Sequence, residues 1–178
     1  RALAQVRDLE HAHGAGDEFL KAALEAMELS EAMADAHLMA EDLQWLSIAY
    51  EKLGAMDRSV EMSRKAVYLL GTTGDSAAIG RGMLHLLNTL VRAGRFKEVI
   101  SQSDEAIKLF INRNDSVSQA GIWVRSAEAQ LAQGRVGDAL PLLIHAENVL
   151  AHGTAPDEHL RALTGLAHAY QLLADHRR

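Results

Sequence analysis

The chain has 178 residues with 18 basic and 24 acidic side chains, a net charge of −6, which argues against general affinity for nucleic acid or anionic membrane because phosphate binding needs a basic excess. Without cysteine, disulfides, thiolate catalysis and zinc–thiolate sites are excluded. Apolar residues make up 48% of the chain, aromatics only 4%, and there are two prolines, a composition that favours long, closely packed helices over sheets.

In chain order the pattern predicts nine helices, near 1–13, 16–31, 35–53, 56–71, 75–93, 96–112, 115–133, 136–151 and 155–174. The first, RALAQVRDLE onward, reads as amphipathic helix and not as a signal peptide. It begins without Met, so a piece of a longer protein is expected. Between the first and second helices stands Gly14, and the same position recurs every forty residues at Gly54, Gly94 and Gly134. In the third helix Leu43, Leu46, Ser47 and Tyr50 precede their glycine by 11, 8, 7 and 4 residues, one face of an α-helix. The fifth and seventh helices repeat those offsets with Met83, Leu86, Leu87 and Leu90, and with Trp123, Ser126, Ala127 and Gln130.

After each glycine comes a second stripe built on small residues: Ser59, Val99 or Ala139, then Ser63, Ser103 or Leu143, and always Ala26, Ala66, Ala106 or Ala146. Each unit is therefore helix, tight turn, helix, with glycine as the left-handed cap of the first helix. Between units Ala34-Asp35, Gly74-Asp75 and Asn114-Asp115 place an aspartate to cap the next helix; Thr154 and Pro156-Asp157 do the same by other residues. Gly80 and Gly82 should weaken the fifth helix, each by roughly 1 kcal/mol against alanine. Pro141 in the eighth helix implies either a late start, with Asp138 as cap, or a kink.

The set Leu43, Leu46, Ser47, Tyr50, Gly54 and Ala66 resembles the tetratricopeptide repeat (TPR). So do Met83, Leu86, Leu90, Gly94, Phe96, Val99 and Ala106, and Trp123, Ala127, Gly134, Val136, Ala139 and Ala146, while Leu163, Leu166, Ala167 and Tyr170 repeat the opening half. The unit is forty residues where the family's is 34, Leu87 and Arg7 fill a slot where it wants a small residue, and Glu10 stands where Tyr50 does. The resemblance implies one all-α domain over 1–178, a right-handed superhelical solenoid of antiparallel hairpins, with repeats near 1–34, 35–74, 75–114 and 115–154 and a closing helix over 155–178. Forty-residue versions resemble those of bacterial regulatory and signalling proteins.

Signals for chemistry are weak. Of nine histidines, His11 and His13 fall on different sides of a helix, His145 and His152 are two turns apart, and Glu158-His159 is a lone dipeptide; no metal site and no cofactor is expected. GTTGDSAAIGRG (71–82) has neither a Lys-Ser/Thr ending nor a preceding strand, so it reads as an inter-repeat turn and not as a phosphate loop. Sequence order leaves a Ser–His–Asp arrangement open, but no nucleophile elbow occurs, and the expectation is that the chain is not an enzyme.

What the resemblance implies is recognition of a protein or peptide in a concave groove. The column that would face it holds Trp45, His85, Arg125 and Gly165, with Arg81, Asn88, Arg92, Glu128, Arg161 and His168 beside it. For Trp45 two roles stand equal, ligand contact and packing on the adjacent repeat. Arg81, Arg92, Arg125 and Arg161 would suit an acidic peptide; the ordinary alternative is solvated helix charges. The reading is a cytoplasmic, peptide-binding scaffold module, neither binding nucleic acid nor inserting in membrane. The alternative is a sensory or homodimerising domain that controls an attached enzyme, such as a diguanylate cyclase, or a DNA-binding domain.

Overall fold

Eight helices run through the described part of the chain: α1 Gly16–Met33, α2 Ala36–Lys52, α3 Met56–Thr73, α4 Ser76–Arg92, α5 Phe96–Ile111, α6 Ser116–Ala132, α7 Val136–Leu150 and α8 Pro156–Asp175. The structure is a computed structural model that describes residues 16–111, 115–151, 153 and 155–175, and no strand occurs among them. The predicted helix over 1–13 with its His11 and His13, and Gly14, Asn114, His152 and Thr154, lie outside the described residues. The remaining eight predicted helices are all present, with boundaries displaced by two residues at most.

The repeated glycine does what its column requires. Gly54, Gly94 and Gly134 have φ of 74°, 68° and 73°. At each turn the glycine N–H donates three residues back, to the carbonyls of Glu51, Val91 and Leu131. The next N–H donates to Tyr50, Leu90 and Gln130 at 2.8, 2.9 and 2.9 Å. These paired bonds satisfy the last carbonyls of each helix and turn the chain sharply into the next one. At the other punctuation point Gly74 has φ of 73° and Ala34 has φ of 52°, so an alanine holds a backbone conformation that penalises its Cβ.

The predicted aspartate caps also form. One oxygen of Asp35 accepts from the N–H of His37 and Leu38, Asp75 likewise from Ala77 and Ala78, and Asp115 from Ser118. The Ala78 N–H, above all, holds the Asp75 carboxyl below its ordinary value. Its cap is complete above the ordinary carboxylate pKa and is lost as pH falls through the lowered one.

Two details differ from the sequence expectation. Of the two options for Pro141, the late start is overturned: α7 begins at Val136, with Arg135 at the N-cap position and no side-chain cap, and carries Pro141 inside it. Gly137, whose carbonyl the ring deprives of a donor, is exposed, so water can replace the missing bond. Gly82 is more than a weak point in α4. A Cβ there would lie 2.6 Å from the Leu70 side chain, so the glycine is what lets α3 approach.

The chain forms two compact units, one ending at Thr89 and the other beginning at Leu90. In the first, α2 packs on α1 and α3, burying Phe19, Ala23, Ala40, Leu43, Leu46, Val60 and Leu70. In the second, α6 packs on α5, α7 and α8. Its core joins Ala127, Leu131, Val136, Ala139, Leu143 and Ala169 in one cluster and Ala120, Val124, Ala146, Leu150 and Ala162 in another. The four-fold alanine column, Ala26, Ala66, Ala106 and Ala146, is buried throughout, which is why no larger residue appears there.

Candidate functional site

Within each unit two helices of like position face each other across a cleft. In the first unit His37, Ala40, Glu41 and Gln44 of α2 face Ala78 and Arg81 of α4 over Leu70, around about 250 Å³. In the second, Glu128, Leu131 and Ala132 of α6 face six residues of α8, among them Asp157, Leu160, Arg161 and His168, around about 430 Å³. Arg81 and Arg161 are eighty residues apart and are the one column that both clefts share.

The predicted groove residues divide by their surroundings. Arg81 and Arg92 are exposed, while Asn88 and His85 are half-buried on the same face of α4. His168 is exposed at the second cleft. Trp45 is half-buried, meets Phe19 of α1 edge-on at 6.0 Å, and sets its indole N–H 3.5 Å from Glu41. The Phe19 contact is packing on the adjacent repeat, one of the two roles weighed for it. Trp123, expected in the core, is half-buried against the second cluster and meets the His145 ring at 4.3 Å.

Arg125 departs most from expectation. It is 2% exposed, and its fork closes on Glu158 of α8, one arm at 2.7 Å and the other shorter, with a further bond to the Gly121 carbonyl. One turn along, Arg161 of α8 grips Glu128 of α6 through Nε at 2.6 Å and Nη2 at 3.1 Å. The two pairs are reciprocal, since α6 offers Arg then Glu and α8 offers Glu then Arg. In this conformation both forks are engaged by internal carboxylates. The signal was present in the sequence: R-x-x-E over 125–128 and E-x-x-R over 158–161 lie on two helices of the same column.

A buried hydroxyl chain went unforeseen. Ser47 Oγ lies 3.0 Å from Ser59, 2.7 Å from Ser63 and 3.2 Å from Nε2 of His85. Ser63 is 3.1 Å from Thr89, whose hydroxyl donates to the His85 carbonyl. Each hydroxyl carries one proton, so the directions follow from that end: Ser63 donates to Thr89 and Ser47 donates to Ser63. Ser47 must then accept from both Ser59 and His85, which puts a proton on Nε2 of His85. A histidine that donates to a serine cannot take that serine's proton. With Ser47 only 1% exposed, this pair organises the core and does not form a nucleophile. Among the described residues no three metal-binding side chains come together.

No family model matches the chain, and no curated protein matches it. Solved structures do. BtubC (BKLC) from P. vanneervenii superimposes with a TM-score of 0.79 at 16% identity, over 97% of this chain and 72% of that one. A putative kinesin light chain from Podosopora anserina with nearly identical TPR-like repeats gives 0.74 at 17% identity, over 99% and 88%. A point variant of that kinesin light chain gives 0.76 at 17% identity, over 99% and 87%. The fold is thus all-α and TPR-like.

Proposed function

We propose that the chain is a protein-interaction module that receives peptide segments of its partner in the α2/α4 cleft of one unit and the α6/α8 cleft of the other, and carries no chemistry of its own. The observation that carries this reading is that each unit has a cleft between two helices of like position, with Arg81 in the wall of one and Arg161, eighty residues on, in the wall of the other. A helical scaffold holds such surfaces without prior ordering, so little entropy is lost on binding. TPR-like folds generally serve protein–protein contact, which supports the same assignment. The forty-residue unit supports a bacterial signalling or regulatory host, and a chain without cysteine suits the cytoplasm. Among the described residues no helix is long and apolar enough to cross a membrane.

The test is site-specific photocrosslinking in the native host. A photoreactive residue at Gln44 or Thr164, in the two clefts, should capture one and the same partner, identified by mass spectrometry. At the outward positions Glu61 and Glu105 it should not. Capture at the outward positions alone would sink the cleft reading.

A self-association role rests on a different observation. On α8, Leu160, Leu163 and Tyr170 are 65%, 44% and 54% exposed, an apolar face suited to a second copy. Sedimentation across a hundredfold range of concentration separates the two, since only self-association shifts with it.

A further inference from the structure

The first unit has a second opening, on the other side of α2 from the α2/α4 cleft. Met27 of α1 faces Met62 and Leu69 of α3 across a groove of about 540 Å³, with Leu43 and Leu46 of α2 as its floor. Each leucine stands two residues past a cleft residue, Glu41 or Gln44, and residues two apart fall on opposite sides of a helix. The floor is closed to solvent, but Met27, Met62 and Leu69 are half-buried, and Tyr68 in the α3 wall is 75% exposed. Eighty residues on, the same column is bridged from within. Trp123 stands for Leu43 and His145 for Lys65, and their rings meet at 4.3 Å. With leucine and lysine in those places, the first unit keeps room between its helices, walled by methionines whose unbranched side chains adapt to a guest.

The second unit carries the converse shape. Leu160, Leu163, Ala167 and Tyr170 follow one another along α8 at intervals of three, four and three residues, and all are exposed. That spacing sets them along one side of the helix as an apolar ridge. Leu160 to Ala167 spans seven residues, as Met62 to Leu69 does on α3, about 10 Å in each case. Helices pack by seating the ridge of one in the groove of another, whereas two α8 ridges laid together would leave the groove uncovered. Charge agrees with shape. Beside the groove α3 carries Arg64 and Lys65, against one acid, Glu31, on α1. Asp157, exposed one turn before Leu160, brings a carboxylate to that basic wall. Lys65 rests on Glu61 at 2.7 Å, but both side chains are more than half exposed, and such a pair is readily exchanged.

We propose that α8 of one copy docks in the α1/α3 groove of a second copy, with Leu160, Leu163 and Ala167 seated between Met27 and the Met62–Leu69 wall and Asp157 turned to Lys65. Ridge and groove are different surfaces of one chain, so a copy that has given its ridge still offers its groove. The contact is head to tail and continues into longer assemblies unless it closes into a ring. A docked copy leaves the α2/α4 cleft open and stands beside the α6/α8 cleft, whose edge Leu160 also forms. The inference rests on the self-association reading and adds the two faces and their polarity.

Sedimentation of the chain and two variants over a hundredfold range of concentration tests it. The wild-type mass should climb beyond that of two chains. Leu163→Asp spoils the ridge at an exposed position, and Met62→Glu spoils the groove; each alone should keep the mass of one chain. Mixed in equal amounts they should form a one-to-one pair and stop there, because one intact groove meets one intact ridge. Tyr68→Asp, at an exposed position of the groove wall, replaces Met62→Glu if that variant loses helical signal. Lys65→Glu should weaken association about tenfold, and Asp157→Lys added to the same chain should restore it. Groove variants that associate like the wild type, or a mixture that stays monomeric, would overturn the docking. An unrestored double variant would overturn the placement of Asp157 on Lys65. A wild-type mass of one chain throughout would instead overturn self-association itself, so the two failures are told apart.

Discussion

At the scale of single residues the backbone turns were legible because their requirement is steric and local. Gly54, Gly94 and Gly134 recur where φ must be positive, and only glycine enters that region without strain. Ala34 occupies the corresponding state at the other junction with φ of 52°, where the next repeat has Gly74. Its N–H still donates to Glu31 at 3.0 Å, so the cap forms despite the Cβ. Ala34→Gly should therefore stabilise the protein by about 1 kcal/mol, raising Tm by roughly 2–4 °C. Calorimetry checks it, and an unchanged or lower Tm would mean that the strain at Ala34 is already relieved by its surroundings. Gly82 was not legible in the same way. Its reason is a neighbour, Leu70, and propensity within one helix carries no information about what lies across from it.

At the scale of helices, the hydrophobic columns identified the buried faces, whereas one charged residue of those faces, Arg125, was misjudged. Arg125 looked like a ligand contact because it shares a column with Trp45 and His85. Its actual partner, Glu158, is thirty-three residues away on α8. Pairing of that kind depends on the stagger of two helices, which a column alignment does not contain. The consequence is testable by a double-mutant cycle. Glu158→Ala leaves a buried guanidinium without its carboxylate and should cost about 3–5 kcal/mol. Replacing both partners, Arg125→Met with Glu158→Leu, should recover most of that loss, because two desolvated charges disappear together. Urea denaturation of the three variants gives the comparison. A double variant no more stable than Glu158→Ala would show that the pair contributes net stability of its own. The same logic explains why α2 and α4 differ from α6 and α8 although their apolar columns match.

At the scale of the whole molecule, a repeated sequence distributes stability by neighbourhood, since each hairpin is held by the helices packed on it. The forty-residue period announced that architecture before any coordinate, because the same apolar offsets and the same alanine return in every unit. The period does not reveal where cooperativity breaks, since this depends on how densely particular helices contact one another. The division after Thr89 into two compact units is where such a break is expected. Ala66, 1% exposed in α3, and Ala146, fully buried in α7, occupy one column, one in each unit. Enlarging either to leucine overpacks its surroundings and should cost about 1–3 kcal/mol. The loss should also be local. Ala66→Leu should speed native-state hydrogen exchange in α2 and α3 while leaving α6 and α7 at their original rates, and Ala146→Leu should do the reverse. Ala132→Leu, at an exposed position of α6, should disturb neither set. If both buried substitutions accelerate exchange equally from α2 to α7, the chain opens as one cooperative body. The repeat units would then not be the units of stability, whatever their sequence period.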